Sequence, residues 1–218
     1  MPVTAPVRFR GVFRTDDAAR AVYSESAGIG QVWPLAVAVP ADANDVALLV
    51  RWAQDGAHPM IPRGSGSSQT GGAIGEGVIV DLSRLRLLDA PDNSRRRVRA
   101  EAGVLRGEIS RAASSAGLRF PVDPSSGEFC TIGGMVSTNA AGPHSLKHGS
   151  TRRWVTALDC VFDDGSAATV RRGEPAPDIP AVTRFMDRAH ARILGADPAG
   201  LSHPEVRKDS SGYGLAAY

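Results

Sequence analysis

Between Trp33 and Leu82 the apolar residues fall into three short runs separated by polar or glycine-rich stretches. WPLAVAVP is nearly uninterrupted and stops at Pro40, which predicts a strand. HPMIP and GVIVDL predict two more, the last rich in β-branched residues. From Asp42 the period becomes helical. Val46, Leu49, Val50 and Ala53 share one face, Asp42 can cap the N-terminus, and Gly56 marks the end. A shorter helix is expected over residues 15–27, with Thr15 or Asp16 as its cap. The order strand, helix, strand, loop, strand predicts a βαβ-type unit with a largely parallel sheet.

The second half is patterned differently. RRVRAEA predicts a strand, and a helix follows from about Val104 to Ala116, with Leu105, Ile109, Ala112 and Ala116 on one face and Gly117 at its end. A polar stretch rich in proline and glycine runs from Pro121 to Gly149. WVTALDCVFDDGSAATVRR then predicts two strands joined at Asp164-Gly165, a tight-hairpin signal. The fold class expected is α+β: a small parallel βαβ subdomain plus a second, mostly antiparallel sheet with flanking helices.

Composition changes this picture little. The 218 residues are 42% hydrophobic and 22% charged, with a formal net charge of +2, so bulk electrostatics select no polyanionic partner. Arg95-Arg96-Arg97 has no interleaved aromatic or amide side chains and is expected to be a solvated turn rather than a nucleic-acid reader. The two cysteines, Cys130 and Cys160, make neither a disulfide framework nor a CxxC metal site. Cys160, in LDCVF, is expected to be a buried core thiol. No apolar window is long enough for a signal peptide or membrane span, so the expected location is cytoplasmic.

The chemistry lies in two side-chain-poor segments. In PRGSGSSQTGG, Pro62–Gly72, glycines allow close backbone approach, so that consecutive N–H groups can converge on an anion, and Ser65, Ser67 and Ser68 add hydroxyls. A pyrophosphate fits, each charge-assisted hydrogen bond being worth ~1.5–3 kcal/mol. It is not a Walker A loop, which needs Gly-Lys-Ser/Thr, nor a Rossmann fingerprint, because it runs into a strand and not a helix. The second segment, PVDPSSGEFCTIGGMVSTNAAGPHSLKHGSTRR, has few core-forming side chains and needs another source of order. Ile132, Met135 and Val136 are spaced to pack inward, and a dinucleotide would order the rest.

Taken together, PRGSGSSQTGGAIGEGVIVDLSRL, FPVDPSSGEFCTIGGMVSTNAAGPHSLKHGSTRRWV and a following strand ending in DDG resemble the FAD-binding domain of the p-cresol methylhydroxylase and vanillyl-alcohol oxidase family. The closest likeness within it is to the FAD subunits of bacterial glycolate oxidase and D-lactate dehydrogenase and their iron–sulfur-fused relatives; VRKDSSGYGL resembles a segment of the fused forms. The resemblance implies that Arg63, Gly64, Ser65, Gly66, Ser67 and Ser68 hold the FAD pyrophosphate through backbone amides, and that Gly71 and Gly72 close the turn. Pro124, Thr131, Gly133 and Gly134 would line the ADP and ribityl portions. Thr138, Asn139, Gly142, Ser145, His148 and Gly149 would continue towards the flavin. Asp81 is either structural or a cofactor contact.

The resemblance implies an oxidoreductase acting on a 2-hydroxy acid, with a cap domain for the substrate and an iron–sulfur electron-transfer partner as a candidate. A non-catalytic FAD-binding fragment and an NADPH-dependent reductase of the same fold are the alternatives. The expected organisation is an N-terminal extension (1–33), an FAD-binding domain (34–173, subdomains 34–90 and 91–173) and a helical linker (174–218). Relatives continue into a Gly-Ser-Glu-Gly-Thr-Leu-Gly-type motif and the cap, so the chain reads as truncated, its unpaired sheet edge favours self-association, and no catalytic residue is assigned. His148 stands where relatives often carry tyrosine. His144 and His148 are flanked by Pro143 and Gly149, and no metal site is expected. The first loop has no histidine, and Cys130 lies one position from where a flavin-linking cysteine would fall, so noncovalent FAD is expected.

Overall fold

The computed structural model describes residues 3–197. The chain divides into two compact units, Met1–Arg172 and Gly173–Tyr218. The VRKDSSGYGL segment lies outside the described residues. Among those described, no helix is long and apolar enough to cross a membrane.

The first unit is built on a four-stranded sheet of β1 (Val12–Arg14), β2 (Ala36–Val39), β3 (Met60–Arg63) and β4 (Val78–Asp81) in the order β1-β2-β4-β3. β2 and β3 both pair parallel with β4, as the βαβ reading expects, while β1 is antiparallel to β2. The strand β1 was not expected. VFR is short and charged at one end, and it borders β2 through Val12↔Val39 and Arg14↔Val37. All four residues of β4 are buried. Helix α1 (Asp17–Tyr23) is capped by Asp16, whose side chain accepts from Ala19 N. It ends four residues before the expected 27, because SESAGIG offers small, polar and glycine residues and no apolar face.

Helix α2 (Ala43–Asp55) starts and stops where expected: Asp42 accepts from Asn44 N and Asp45 N, and Gly56 ends it. Its inward face carries Leu49, Ala53 and also Asp45, which is 2% exposed. That carboxylate accepts from Ala41 N at 2.9 Å and pairs with Arg10, which satisfies a group that burial alone would penalise. Leu49 packs with Ala36, Ala38, Val78 and Val80 to form the main core.

Beyond β4, the predicted strand 96–102 does not form. Only isolated bridges occur, Leu88↔Ala100 and Asp92↔Arg97. The arginine run lies in a turn, with Arg96 at positive φ and Arg95 paired to Asp92. Helix α3 (Arg106–Ser115) buries Ile109. The proline- and glycine-rich stretch contains two short helices, α4 (Ile132–Ser137) and α5 (Ser145–His148). Met135 anchors α4 against Val122 and Cys130 in a second cluster. β5 (Ala157–Val161) and β6 (Ala167–Arg171) form the antiparallel hairpin. Gly165 in its turn has φ 73°, and Arg51 of α2 donates to its carbonyl at 2.9 Å. Cys130 is the buried thiol; Cys160 is half-exposed, contrary to expectation, because an isolated two-stranded sheet has no second layer over both faces. In the second unit, the described residues include α6 (Pro180–Phe185), a π-helical turn and α7 (Ala191–Leu194).

Candidate functional site

The first glycine loop leaves the end of β3 and returns as β4. Arg63 is the last residue of β3, so its amide belongs to the sheet. The backbone N–H groups of Gly64, Ser65, Gly66, Ser67 and Ser68 donate to no acceptor among the described residues. Gly66 is at φ 71°, a conformation that L side chains rarely adopt and that lets successive amides face one concavity. Gly71 and Gly72 close the loop on itself: Ile74 N donates to Gly71 O, and Gly72 N donates to the Ser68 hydroxyl at 3.2 Å.

A positive charge lies beneath these amides. The Arg63 guanidinium passes under Gly66, where an added Cβ would come 2.5 Å from Arg63 Nη2. Its Nη1 donates to Glu25 O at 2.7 Å and Ala73 O at 3.0 Å, and the group stacks 5.2 Å from the Tyr23 ring centroid. Burial lowers its pKa, opposed by Tyr23 and Asp81. The Tyr23 hydroxyl donates to Asp81 Oδ2, and burial first, then that carboxylate, pushes its pKa up to about 12. Asp81 also accepts from Ser83 N at 2.8 Å. Both of its oxygens thus serve the protein, which gives it a structural role.

The two segments meet. A Cβ on Gly64 would fall 2.1 Å from Thr131 Oγ1, so only glycine permits this approach. Thr131 is buried and caps α4 by accepting from Gly134 N at 3.3 Å. The remaining amides at this helix start are occupied as well: Ile132 N donates to Val104 O and Gly133 N to Ala102 O. Amide donors thus come from the first loop, while Gly133 and Gly134 contribute closeness.

The rest of the second segment is tied mainly to itself. Pro124 O accepts from Gly127 N. Thr138 Oγ1 donates to Gly134 O. Asn139, at φ 46°, accepts from Arg152 N at 2.9 Å and keeps its amide donors. Gly142 rests on the Asp123 carbonyl, where a Cβ would come within 2.0 Å. Ser145 and His148 lie on α5, with Gly149 ending it at φ 73°. His148 O accepts from Trp154 Nε1, and burial lowers the His148 pKa, reinforced by Lys147 and Arg119. His144 pairs with Asp123, whose pKa it lowers chiefly through that hydrogen bond. Among the described residues, no group of three His, Cys, Asp or Glu is arranged to hold a metal ion.

These features fit a diphosphate-bearing cofactor: unpartnered amides, a cation behind them, and a Cβ-free contact with the second segment. A groove of about 280 Å³ lies elsewhere, along α3, lined by Arg106, Ser110, Ser114, Arg119 and Phe120; it has no run of five consecutive unpartnered amides like that of the loop. Sequence reasoning missed Tyr23 and the Ser24–Gly28 segment behind the first loop. The small polar residues of SESAG, unsuited to a helix or a core, were the available signal.

Comparison with known proteins gives the same direction. A family model described as an FAD binding domain matches residues 34–171. D-2-hydroxyglutarate dehydrogenase of Xanthomonas citri pv. viticola is 35% identical over 134 residues, covering 61% of this chain and 28% of that protein. D-lactate dehydrogenase of Anaerostipes hadrus is 32% identical over 145 residues, 66% of this chain and 30% of that protein. Among solved structures, 6-hydroxy-D-nicotine oxidase of Arthrobacter nicotinovorans superposes with a TM-score of 0.68 at 23% identity, over 79% of this chain and 38% of that one. That likeness shows the fold, which is of the p-cresol methylhydroxylase type. The chain spans 28–30% of the length of these two sequence relatives.

Proposed function

The chain belongs to the FAD-binding domain family, and from that premise we propose that it is the cofactor-holding module of a flavin-linked oxidase or dehydrogenase for a small 2-hydroxy acid of the D-lactate, D-2-hydroxyglutarate or glycolate kind. The observation that carries the reading is the run of unpartnered amides at Gly64–Ser68 pressed against Thr131. The relatives' names supply the substrate class. When bound, FAD supplies the two-electron acceptor for hydride removal. The residues of this chain bind and orient it: amides 64–68 take the diphosphate, Arg63 supplies charge beneath them, and Thr131, Gly133 and Gly134 form the facing wall. Thr138, Asn139, Gly142, Ser145, His148 and Gly149 extend that wall.

The cofactor is held without a covalent bond. The first loop has no histidine, and the Cys130 thiol is 4% exposed and directed at Gly127 O, out of reach of a ligand on the loop surface. The close of the first unit at Arg172 supports a functional domain ending near 173. An iron–sulfur partner and self-association through β5 and β6 complete the proposal.

The test is direct. Purified protein is expected to take up one FAD and to release it unmodified on denaturation. Anaerobic addition of D-lactate, D-2-hydroxyglutarate or glycolate then tests turnover. FAD uptake without bleaching by any of them restricts this chain to binding, and failure to take up FAD overturns the reading.

A further inference from the structure

Ser24–Val32 lies outside the residues matched by the family model yet touches the first glycine loop repeatedly. It is a closed excursion. Val32 N donates to Ser24 O at 2.9 Å, Glu25 and Gln31 form a bridge, and Gln31 Nε2 donates to the Ser24 hydroxyl and to Glu25 Oε1. Ser24 is fully buried. The tip of the excursion lies on the backbone of the loop. Ala27 N donates to Gly66 O at 3.0 Å, and the Ser26 hydroxyl donates to Ser68 O at 2.9 Å. Gly28 is so close to the Gln69 carbonyl that a Cβ would come within 2.4 Å. Arg63 ties the excursion to the other end of the loop by donating to both Glu25 O and Ala73 O.

We propose that Ser24–Val32 is a strap that positions the diphosphate-binding amides of the first loop from behind, with Ser26 and Gly28 as its positioning residues and Arg63 on Tyr23 as its anchor. The proposal rests on the FAD reading of that loop. Its physical basis is the planar trans peptide, in which C=O and the following N–H point in opposite directions. Holding Gly66 C=O against Ala27 directs the Ser67 N–H away from the strap. Holding Ser68 C=O against Ser26 does the same for the Gln69 N–H, which like amides 64–68 donates to no acceptor among the described residues. Two carbonyls that would otherwise repel an anion are turned to the rear, and the donors face forward before any ligand arrives. Such preorganisation raises affinity by reducing the ordering that binding requires.

The experiment measures binding of FAD and of ADP to the full chain by calorimetry, with ADP isolating the diphosphate contribution. Ser26→Ala is expected to weaken both by roughly 3- to 10-fold, the loss of one hydrogen bond. Gly28→Ala, which drives the strap off Gln69, is expected to weaken both by more than about 10-fold. Ser115→Ala on α3, which removes a comparable hydroxyl, leaves both affinities unchanged. The unfolding midpoint of ligand-free Ser26→Ala stays near wild type, and ADP-dependent slowing of amide exchange at Ser67 and Gln69 is lost. Wild-type affinity in both strap variants overturns the strap alone, as does weakening that only tracks lower ligand-free stability. A wild-type chain that binds neither FAD nor ADP overturns the FAD reading and the strap with it.

Discussion

At the scale of single residues, the site depends on what Gly64 lacks and what Thr131 carries. Gly64→Ala places a methyl group 2.1 Å from the Thr131 hydroxyl, so one of the two segments has to move. The expected outcome is a loss of about 1–3 kcal/mol in stability together with at least tenfold weaker FAD binding, checked by denaturant titration and calorimetry. Thr131→Val keeps the shape but removes the acceptor for Gly134 N, at a cost of about 0.5–2 kcal/mol. Tyr23 offers a test by pH. Its pKa is raised to about 12, so the stability it contributes is complete below the ordinary tyrosine value of 10 and is lost as pH rises towards 12. Tyr23→Phe is expected to remove a late component from the tyrosinate absorbance titration and to flatten the alkaline loss of stability. A lost component that titrates near the ordinary tyrosine value of 10 would mean that Tyr23 does not point at Asp81.

Elements were legible where local chemistry agreed with the hydrophobic period. Asp42, the face Leu49–Ala53 and Gly56 all mark α2, and the same cap makes it testable: Asp42→Ala is expected to cost about 0.5–2 kcal/mol in chemical denaturation. AVAV and VIVD were legible because strands buried on both faces read as continuous apolar runs. Three features were not legible. β1 is too short to show a period, and its assignment depends on the distant Val37–Val39. RRVRAEA alternates like a strand but finds no long partner and makes only bridges. IGGMVS carries two glycines against helix, and α4 exists because Thr131 caps it and Met135 is buried. The candidate site divides the same way. Glycine spacing exposed the two segments, whereas the occupied amides of Ile132 and Gly133 and the strap depend on contacts remote in sequence. The β5–β6 hairpin carries a consequence of its own. Leu158 and Val170 are cross-strand partners, 38% and 37% exposed, in a two-stranded sheet whose edges have no further strand among the described residues. Such an edge templates pairing. Concentration-dependent self-association is expected by light scattering, and Leu158→Lys is expected to reduce it.

For the whole molecule, the question is how far cofactor binding reaches. Every candidate binding residue, the strap and the cluster around Met135 lie in Met1–Arg172, while Gly173–Tyr218 is a separate compact unit. A ligand stabilises only the cooperative unit that binds it, by RT ln(1 + [L]/Kd), which is about 2.7 kcal/mol at a free concentration of 100 Kd. For a unit of this size, each kcal/mol raises the midpoint by roughly 2–4 °C. FAD is therefore expected to raise the melting transition of the first unit by roughly 5–10 °C. A chain ending at Arg172 should show the same shift, because none of the donors or walls assigned to the cofactor is removed. The measurement is differential scanning calorimetry of both chains with and without FAD. A shift that vanishes on removing residues 173–218 would place part of the binding free energy in the second unit, and the cofactor would then be held by more than the two segments that meet at Gly64 and Thr131.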